Sequence, residues 1–374
     1  MKKILITSTD LMMVQFLHPH VRDLYEHGFE VVIACSDVGG RLNEVKEKVG
    51  AYSKTIHVPR LRRNPLSPKN FLGYGDMKRV MAEEHFDLIW TNEPVMGVIT
   101  RLCARKQRKR GAKVMYMAHG FHFFKGAPIV NWLVYYPIEK IMAKHTDMII
   151  TVNAEDYSRA KLFNVRDVRY IHGIGINTER LTLPETRGNI REELGIAEDS
   201  FVVLSVGELN KNKNQKTIIK AIAKLNDSSI HYVMCGKGPL HDRLVRLVKK
   251  YGLEGNIHFL GYRKDVVNIC SQADVYVMPS FREGLPVSSL EAMFCGLPLL
   301  TSNIRGLVDV NKDGENGILQ SPTDVDGFAR AIRKFKGDPQ LKLKMGERNR
   351  RDVIPYTLDN TKKEIQCIIK EILD

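Results

Sequence analysis

Short apolar runs alternate with longer amphipathic stretches along the chain, and this alternation predicts parallel α/β architecture. In the first half the runs Ile4–Thr7, Val31–Cys35, Thr55–Val58, Leu88–Thr91, Val114–Ala118 and Met148–Val152 read as strands. Helical patterns lie between them, for example Phe16–His27, Met77–Glu84 and Gly97–Lys106. A second series opens at Phe201–Gly207 and continues through His231–Cys235, Ile257–Leu260 and Val275–Met278. The two series are separated by residues 172–198, a stretch rich in polar residues and turn formers, where a domain boundary is expected. Thr357–Leu373 reads as a final helix after Pro355. No internal repeat or low-complexity segment is visible.

A chain of 374 residues is long for one core, so two domains are expected. In doubly wound domains ligands lie at the carboxyl ends of the strands, so the loops after strands are where chemistry is sought. No apolar run approaches the roughly eighteen residues of a spanning helix. The opening Met1-Lys2-Lys3-Ile4-Leu5-Ile6 is cut short by Thr7, Ser8, Thr9 and Asp10, so it reads as a buried strand and not as a signal peptide. The six cysteines are scattered without metal-ligand spacing and read as buried free thiols of a reducing cytoplasm. The net charge is +14, and residues 1–180 hold 28 Lys and Arg against 18 Asp and Glu. The excess is densest at Arg101, Arg105, Lys106, Arg108, Lys109, Arg110 and Lys113, with Arg60, Arg62 and Arg63 elsewhere. Such a cluster reads either as a solvated helix end or as a surface for anionic lipid headgroups. No nucleic-acid-binding motif supports a third reading.

The segment Val275–Pro298 carries the most chemistry. A strand-like run closes at Pro279-Ser280, Glu283 and Gly284 follow in a loop, and Pro286 opens a helix that carries Glu291 about two turns in. The first-turn amides of Gly284, Leu285, Pro286 and Val287 flank an anion site, Pro286 itself having no N–H to give. Two carboxylates beside it suit sugar hydroxyls. Most pairs of glutamates at this spacing are a loop charge and a helix-surface charge, but the strand–loop–helix context favours a ligand. After the strand Phe201–Val206, Gly207 permits close backbone approach and Lys213 can reach a phosphate. His119 closes the strand Val114–Ala118 and can donate to a sugar hydroxyl or move a proton; His122 reads as structural. Asn92 and Glu93 follow another strand. The dense apolar and aromatic stretch from Phe121 to Tyr136 is either a buried helix face or a lipid-facing one. Asp324-Val325-Asp326 has the form of a metal-binding D-x-D, but its position before a helical run marks a helix cap.

These residues carry a resemblance. Glu283 to Glu291 is similar to the E-x7-E signature of the retaining glycosyltransferases of family 4, and weaker motifs extend the similarity from near residue 4 to near residue 370. The resemblance implies the GT-B fold, two Rossmann-like doubly wound domains facing across a cleft. The expected divisions are an acceptor-side domain 1–177, a nucleotide-sugar domain 178–355, and a helix 356–374 crossing back. It implies that Glu283 holds the donor sugar, Glu291 the ribose, and His119 the donor sugar from the other domain. Gly207 and Lys213 would serve the diphosphate, although Glu208 stands where many members have an arginine. Arg263 sits where members cradle the nucleobase, and Asn92 and Glu93 would face the acceptor. The reaction implied is retaining transfer from a nucleotide diphosphate sugar, with a lean towards uridine. No metal or other cofactor is expected. The acceptor would be a glycan or lipid-linked glycan in polysaccharide biosynthesis, and the location cytoplasmic, peripheral on an anionic inner membrane face. The rivals are a nucleotide-sugar epimerase of the same fold and a basic nucleic-acid-binding protein; no nucleic-acid partner is expected.

Overall fold

In the computed structural model, residues 1–40, 42–181 and 188–374 are described. Residues 182–187, part of the expected boundary stretch, lie outside them. The chain divides into two units, one of residues 1–175 with 358–374 and the other of residues 176–357. Both divisions stand two residues from the expected 177/178 and 355/356. The cause is local: Ile176 bridges to Thr357, and its N–H donates to the Tyr356 carbonyl at 2.9 Å, drawing all of these residues into the second unit.

The first unit holds seven strands: β1 Lys3–Asp10, β2 Glu30–Val38, β3 Thr55–His57, β4 Leu88–Asn92, β5 Lys113–Ala118, β6 Met148–Thr151 and β7 Asp167–Tyr170. They pair in parallel in the order β3-β2-β1-β4-β5-β6-β7. Ile4, Leu5, Ile6, Val32, Ile33 and Ile89 are fully or almost fully buried, because helices cover both faces of a parallel sheet. That is why these strands read as unbroken apolar runs. β7 is a half-buried edge strand of sequence Asp-Val-Arg-Tyr, so it carries no such run.

The second unit holds β8 Phe201–Val206, β9 Ile230–Cys235, β10 Ile257–Gly261, β11 Val275–Met278, β12 Leu299–Ser302 and β13 Gly317–Gln320. Their order is β10-β9-β8-β11-β12-β13, again all parallel. In each sheet the winding reverses beside the first strand, between β1 and β4 and between β8 and β11. Ligand crevices form at such reversals, outside the carboxyl ends of the strands.

The helix Leu358–Leu373 belongs to the first unit. Its Ile365, Ile368, Ile369 and Ile372 are buried in a stripe at helical spacing. Polar ties flank the stripe. Gln366 donates to Asp23 at 2.6 Å, Arg169 pairs with Glu371 at 2.8 Å, and His172 meets Glu364 at 2.6 Å. The apolar stripe carries the docking, since each buried isoleucine is worth about 1.5–3 kcal/mol.

The basic cluster needs correction. Arg101 is fully buried: the helix Pro94–Cys103 turns it inward, over the Tyr116 ring at 4.0 Å and against Glu139 at 2.9 Å. Gly97 makes the space, since a Cβ there would come within 2.9 Å of Tyr116. Arg60, Arg62 and Arg63 pair with Asp76, Asp37 and Asp10, and Arg108 with Asp147. Arg105, Lys106, Lys109 and Arg110 stay exposed. Cys367 is exposed and Cys295 half-buried, so the thiols are not uniformly buried.

Candidate active site

The loops after β8 and β11 meet at the winding reversal of the second sheet. Gly207 turns at φ 153°, and a Cβ there would press on the Lys213 stem at 3.3 Å. Lys213 Nζ pairs with Glu283 Oε1 at 2.8 Å, joining residues 70 positions apart. Backbone ties hold the loops in register. Phe281 N–H donates to the Asn212 carbonyl at 2.9 Å, Asn212 Nδ2 to the Arg282 carbonyl at 2.8 Å, and Asn214 Nδ2 to the Pro279 carbonyl at 2.9 Å.

The helix that follows runs Val287–Phe294, so Pro286 is its N-cap and not part of its first turn. Proline offers no capping side chain, and the opening amides are left for a ligand. Buried Tyr276 of β11 donates to Ser288 Oγ at 2.8 Å, which fixes the helix start against the sheet. Gly284 and Leu285 lie in the turn between Glu283 and the helix. Glu291 lies in the second turn of the helix. Burial pushes its carboxyl from an ordinary 4.5 up to about 7, and among the described residues no side chain pairs with it. A carboxylate so placed, with no partner of its own, has an acceptor to offer a hydroxyl.

Two neighbours were not legible as site residues. Buried Arg305 donates through Nε to the Glu283 carbonyl at 3.2 Å. Gly306 turns at φ 79°, and a Cβ there would strike the Gly284 carbonyl at 2.2 Å. Both follow β12, which like β7 and β13 was missed in the sequence; a Leu-Pro-Leu-Leu-Thr run before Ile304-Arg305-Gly306 is the signal that marks it. Gly236, in the turn after β9, packs as tightly: a Cβ on it would overlap the Gly207 carbonyl at 1.9 Å.

Arg263 stands apart from the others. Its guanidinium holds Glu193 at 2.6 and 3.1 Å and Asp265 at 2.8 and 2.7 Å, and those hydrogen bonds hold its pKa well above its ordinary value. A guanidinium that gives four of its five N–H groups to two carboxylates has one left for a ligand. Asp324 caps its helix as expected, accepting from Gly327 N–H at 2.8 Å, whereas Asp326 lies in the first turn and pairs with Lys224.

In the first unit, Asn92, Glu93 and His119 cluster at the ends of β4 and β5. Asn92 is fully buried and donates through Nδ2 to the Thr7 carbonyl at 3.2 Å. That fixes its amide so that Oδ1 faces His119 Nε2 at 3.0 Å. Burial pushes the His119 pKa down to about 4, so the ring is neutral near pH 7. Nε2 then carries the proton and Nδ1 is left as an acceptor. Glu93 sits at φ 64°, a conformation that costs a side chain of order 1–3 kcal/mol. Its Oε2 accepts from Ser8 Oγ at 2.5 Å, Thr9 N–H at 2.8 Å and Asp10 N–H at 3.0 Å. Burial nonetheless raises its pKa. Both residues brace the end of β1, and their side chains are less open to an acceptor than the sequence suggested. His122 stacks on Tyr135 at 4.6 Å.

Two Rossmann-like parallel sheets, with an uncapped helix start at the second winding reversal, are the architecture of the GT-B class. Residues 13–180 match the family described as Glycosyltransferase Family 4, and residues 186–352 match Glycosyl transferases group 1. A Bacillus subtilis (strain 168) protein named "Putative glycosyltransferase EpsD" is 37% identical across 100% of this chain and 97% of its own. The chain therefore belongs to glycosyltransferase family 4. The Escherichia coli UDP-Gal:alpha-D-GlcNAc-diphosphoundecaprenol alpha-1,3-galactosyltransferase is 28% identical, covering 84% of this chain and 82% of that one. In fold, the chain resembles Anabaena Alr3699/HepE in complex with UDP-glucose, with TM-score 0.81 and 18% identity over 99% and 100% of the two chains.

Proposed function

We propose that the protein moves a sugar from a UDP-sugar to an acceptor hydroxyl with retention at the anomeric carbon. The observation that carries this reading is the Lys213–Glu283 pair beside an uncapped helix start, with half-buried Glu291 in the second turn. Lys213 and the opening amides stabilise the diphosphate as the anomeric C–O bond breaks. Glu283 turns from Lys213 to hold the donor sugar, and Glu291 holds the ribose. The acceptor oxygen bonds to the anomeric carbon on the face the diphosphate leaves, and its proton passes to the departing phosphate. His119 serves the sugar through Nδ1. No metal ion is required, because amides and a lysine meet the phosphate charge. The names of similar proteins support this reading: one is crystallised with UDP-glucose and another uses UDP-Gal. Incubation with a panel of nucleotide sugars, reading released nucleoside diphosphate, tests it; release from UDP-sugars that rises with added acceptor is expected, and release from none overturns it.

The acceptor we assign is a lipid-linked glycan at an anionic membrane surface. No helix among the described residues is long and apolar enough to cross a membrane. The helix Ile129–Ala143 exposes Ile129 (77%), Leu133 (72%) and Ile141 (54%), with Val130, Val134 and Ile138 on the same side. Cations adjoin its end: Arg105 contacts His145 at 2.8 Å and Arg108 donates to the Lys144 carbonyl at 3.2 Å. Apolar insertion flanked by lysine and arginine is the signature of an interfacial helix. Each cation near an anionic leaflet adds about 1 kcal/mol. Sedimentation with vesicles should require anionic lipid and fall for Leu133→Ser with Ile141→Ser; equal binding to neutral vesicles, or none to either, removes the membrane from the reading.

A further inference from the structure

A second basic feature lies in the other unit, away from any lipid-facing helix. A groove of about 700 Å³ runs between the helices Lys216–Leu225 and His241–Tyr251. Its walls carry Lys211, Lys216, Lys220, Arg243, Arg246 and Lys250, and among the described residues no carboxylate lines it. None of these six side chains forms an ion pair among the described residues, although many other cations of the chain are paired. Lys216 and Lys220 are four apart on one helix, and Arg243, Arg246 and Lys250 follow at spacings of three and four on the other. Like charges at these spacings repel across a helix turn. All six are exposed, so solvent screens the repulsion, and what they offer is a positive field for an anion.

Two further observations say what else the anion carries. Gln215 is buried, lines the groove and hydrogen-bonds through Nε2 to the Glu208 carbonyl at 3.0 Å, but its Oε1 has no partner among the described residues. A buried acceptor left open calls for a donor such as a ring hydroxyl. Half-exposed Tyr251 and Phe281, with Leu240 and Leu247, supply apolar surface for the flat side of a ring. We propose that the groove is a second anion site, which takes a phosphate ester borne on a hydroxylated ring, either a sugar phosphate or a nucleoside polyphosphate.

The site has a route to the transfer reaction. Asn210, Lys211, Asn214 and Phe281 line the groove and belong to the same two loops that carry Lys213 and Glu283. Asn214 sits at φ 55° and donates to carbonyls of both Pro279 and Pro322, a tightly determined position in which small shifts are passed on. Occupancy of the groove therefore sets the geometry of the Lys213–Glu283 pair, and the ligand is an effector of turnover. This consequence, unlike the binding itself, rests on reading those loops as the donor site.

Calorimetry of the full chain with UDP saturating provides the test. Glucose 6-phosphate and ATP are the ring-bearing probes and inorganic tripolyphosphate the ring-free one. At least one ring probe should still bind, its affinity falling about tenfold or more when Arg243, Arg246 and Lys250 are together changed to glutamine, as loss of charge-assisted contacts requires. Lys213→Ala should retain the binding, with a smaller change in affinity than the triple variant shows, since coupling between two sites is reciprocal. The ring probe that binds more tightly identifies the source of the ligand. A probe bound equally by wild type and the triple variant, or lost in Lys213→Ala, overturns the second site, as does binding of tripolyphosphate alone. Failure of UDP itself to bind counts instead against the donor site, because the triple variant is read independently of it.

Discussion

The two winding reversals of this protein are built from similar residue types and prepared in opposite ways. In the second unit, Glu291 has no side-chain partner among the described residues, and Lys213 and Glu283 hold each other by an ion pair that a ligand can replace. In the first unit, Asn92 and Glu93 are tied by hydrogen bonds to the end of β1, and His119 to Asn92. One end is a set of charges awaiting a ligand; the other is a fixed scaffold offering one ring nitrogen. Losses in the second unit should therefore be large and charge-dependent, and losses in the first should be small.

The sharpest break would come from Lys213→Ala, which removes the cation facing the leaving diphosphate. A fall of about 10²–10³ in kcat is expected, the size seen when one transition-state stabiliser is lost, with the thermal transition little changed. Turnover within twofold of wild type would place the phosphate elsewhere. Glu291→Ala removes an acceptor worth roughly 1.5–3 kcal/mol, or about 10–150-fold in UDP affinity by calorimetry; an unchanged affinity ends the ribose assignment. On the first side, His119→Ala should cost only about tenfold in kcat, the value of one ordinary hydrogen bond. Asn92→Ala should cost a similar amount by freeing the ring tautomer, with UDP affinity kept in both variants. Collapse of UDP affinity in either one would erase the distinction between the two ends.

The pH dependence of stability separates the ends by sign. The Glu291 pKa is raised in the fold, so the native state holds the extra proton between about 4.5 and about 7. Its contribution to stability falls as pH rises through that window, by at most about 3 kcal/mol, and is level above it. The His119 pKa is lowered to about 4, so the unfolded chain holds the extra proton and stability rises as pH climbs from there towards 6.5. Glu291→Gln should remove the falling component from urea titrations, and His119→Ala should remove part of the rising one. The same window in both variants would mean that other groups dominate. The smallest effect expected is that of EDTA on turnover; complete loss restored by manganese or magnesium would mean that a metal meets the phosphate charge.

Most strands at the centre of each sheet were legible because burial on both faces leaves no polar position to interrupt the run; β12, equally buried, is only the four residues Leu299–Ser302 behind Pro298 and was missed. β7 was not, since an edge strand alternates Asp, Val, Arg and Tyr. Glu283, Lys213 and Glu291 were legible because a strand end, a glycine and an uncapped helix start follow one another in sequence. Arg305 was not, because its place beside the Glu283 carbonyl is made by the following strand, one crossover later. Arg101 misled for a related reason. It belongs by sequence to a run of cations, and only the helix phase and the space over Gly97 reveal that it is buried on Tyr116 and Glu139. Asn92 and Glu93 were placed at the correct strand end, but sequence could not show that their side chains are spent on β1.

The division of the chain imposes an order on its assembly. Residues 176–357 are contiguous, whereas the first unit is completed by residues 358–374, with Ile365, Ile368, Ile369 and Ile372 as its last apolar layer. On the ribosome the second unit can close as soon as it has emerged. The first, although translated earlier, must wait with the surface for that helix uncovered until the final turns of the chain arrive. The early half of the sequence is thus the late half of the fold, and the interval between them is set by the time taken to translate the residues in between.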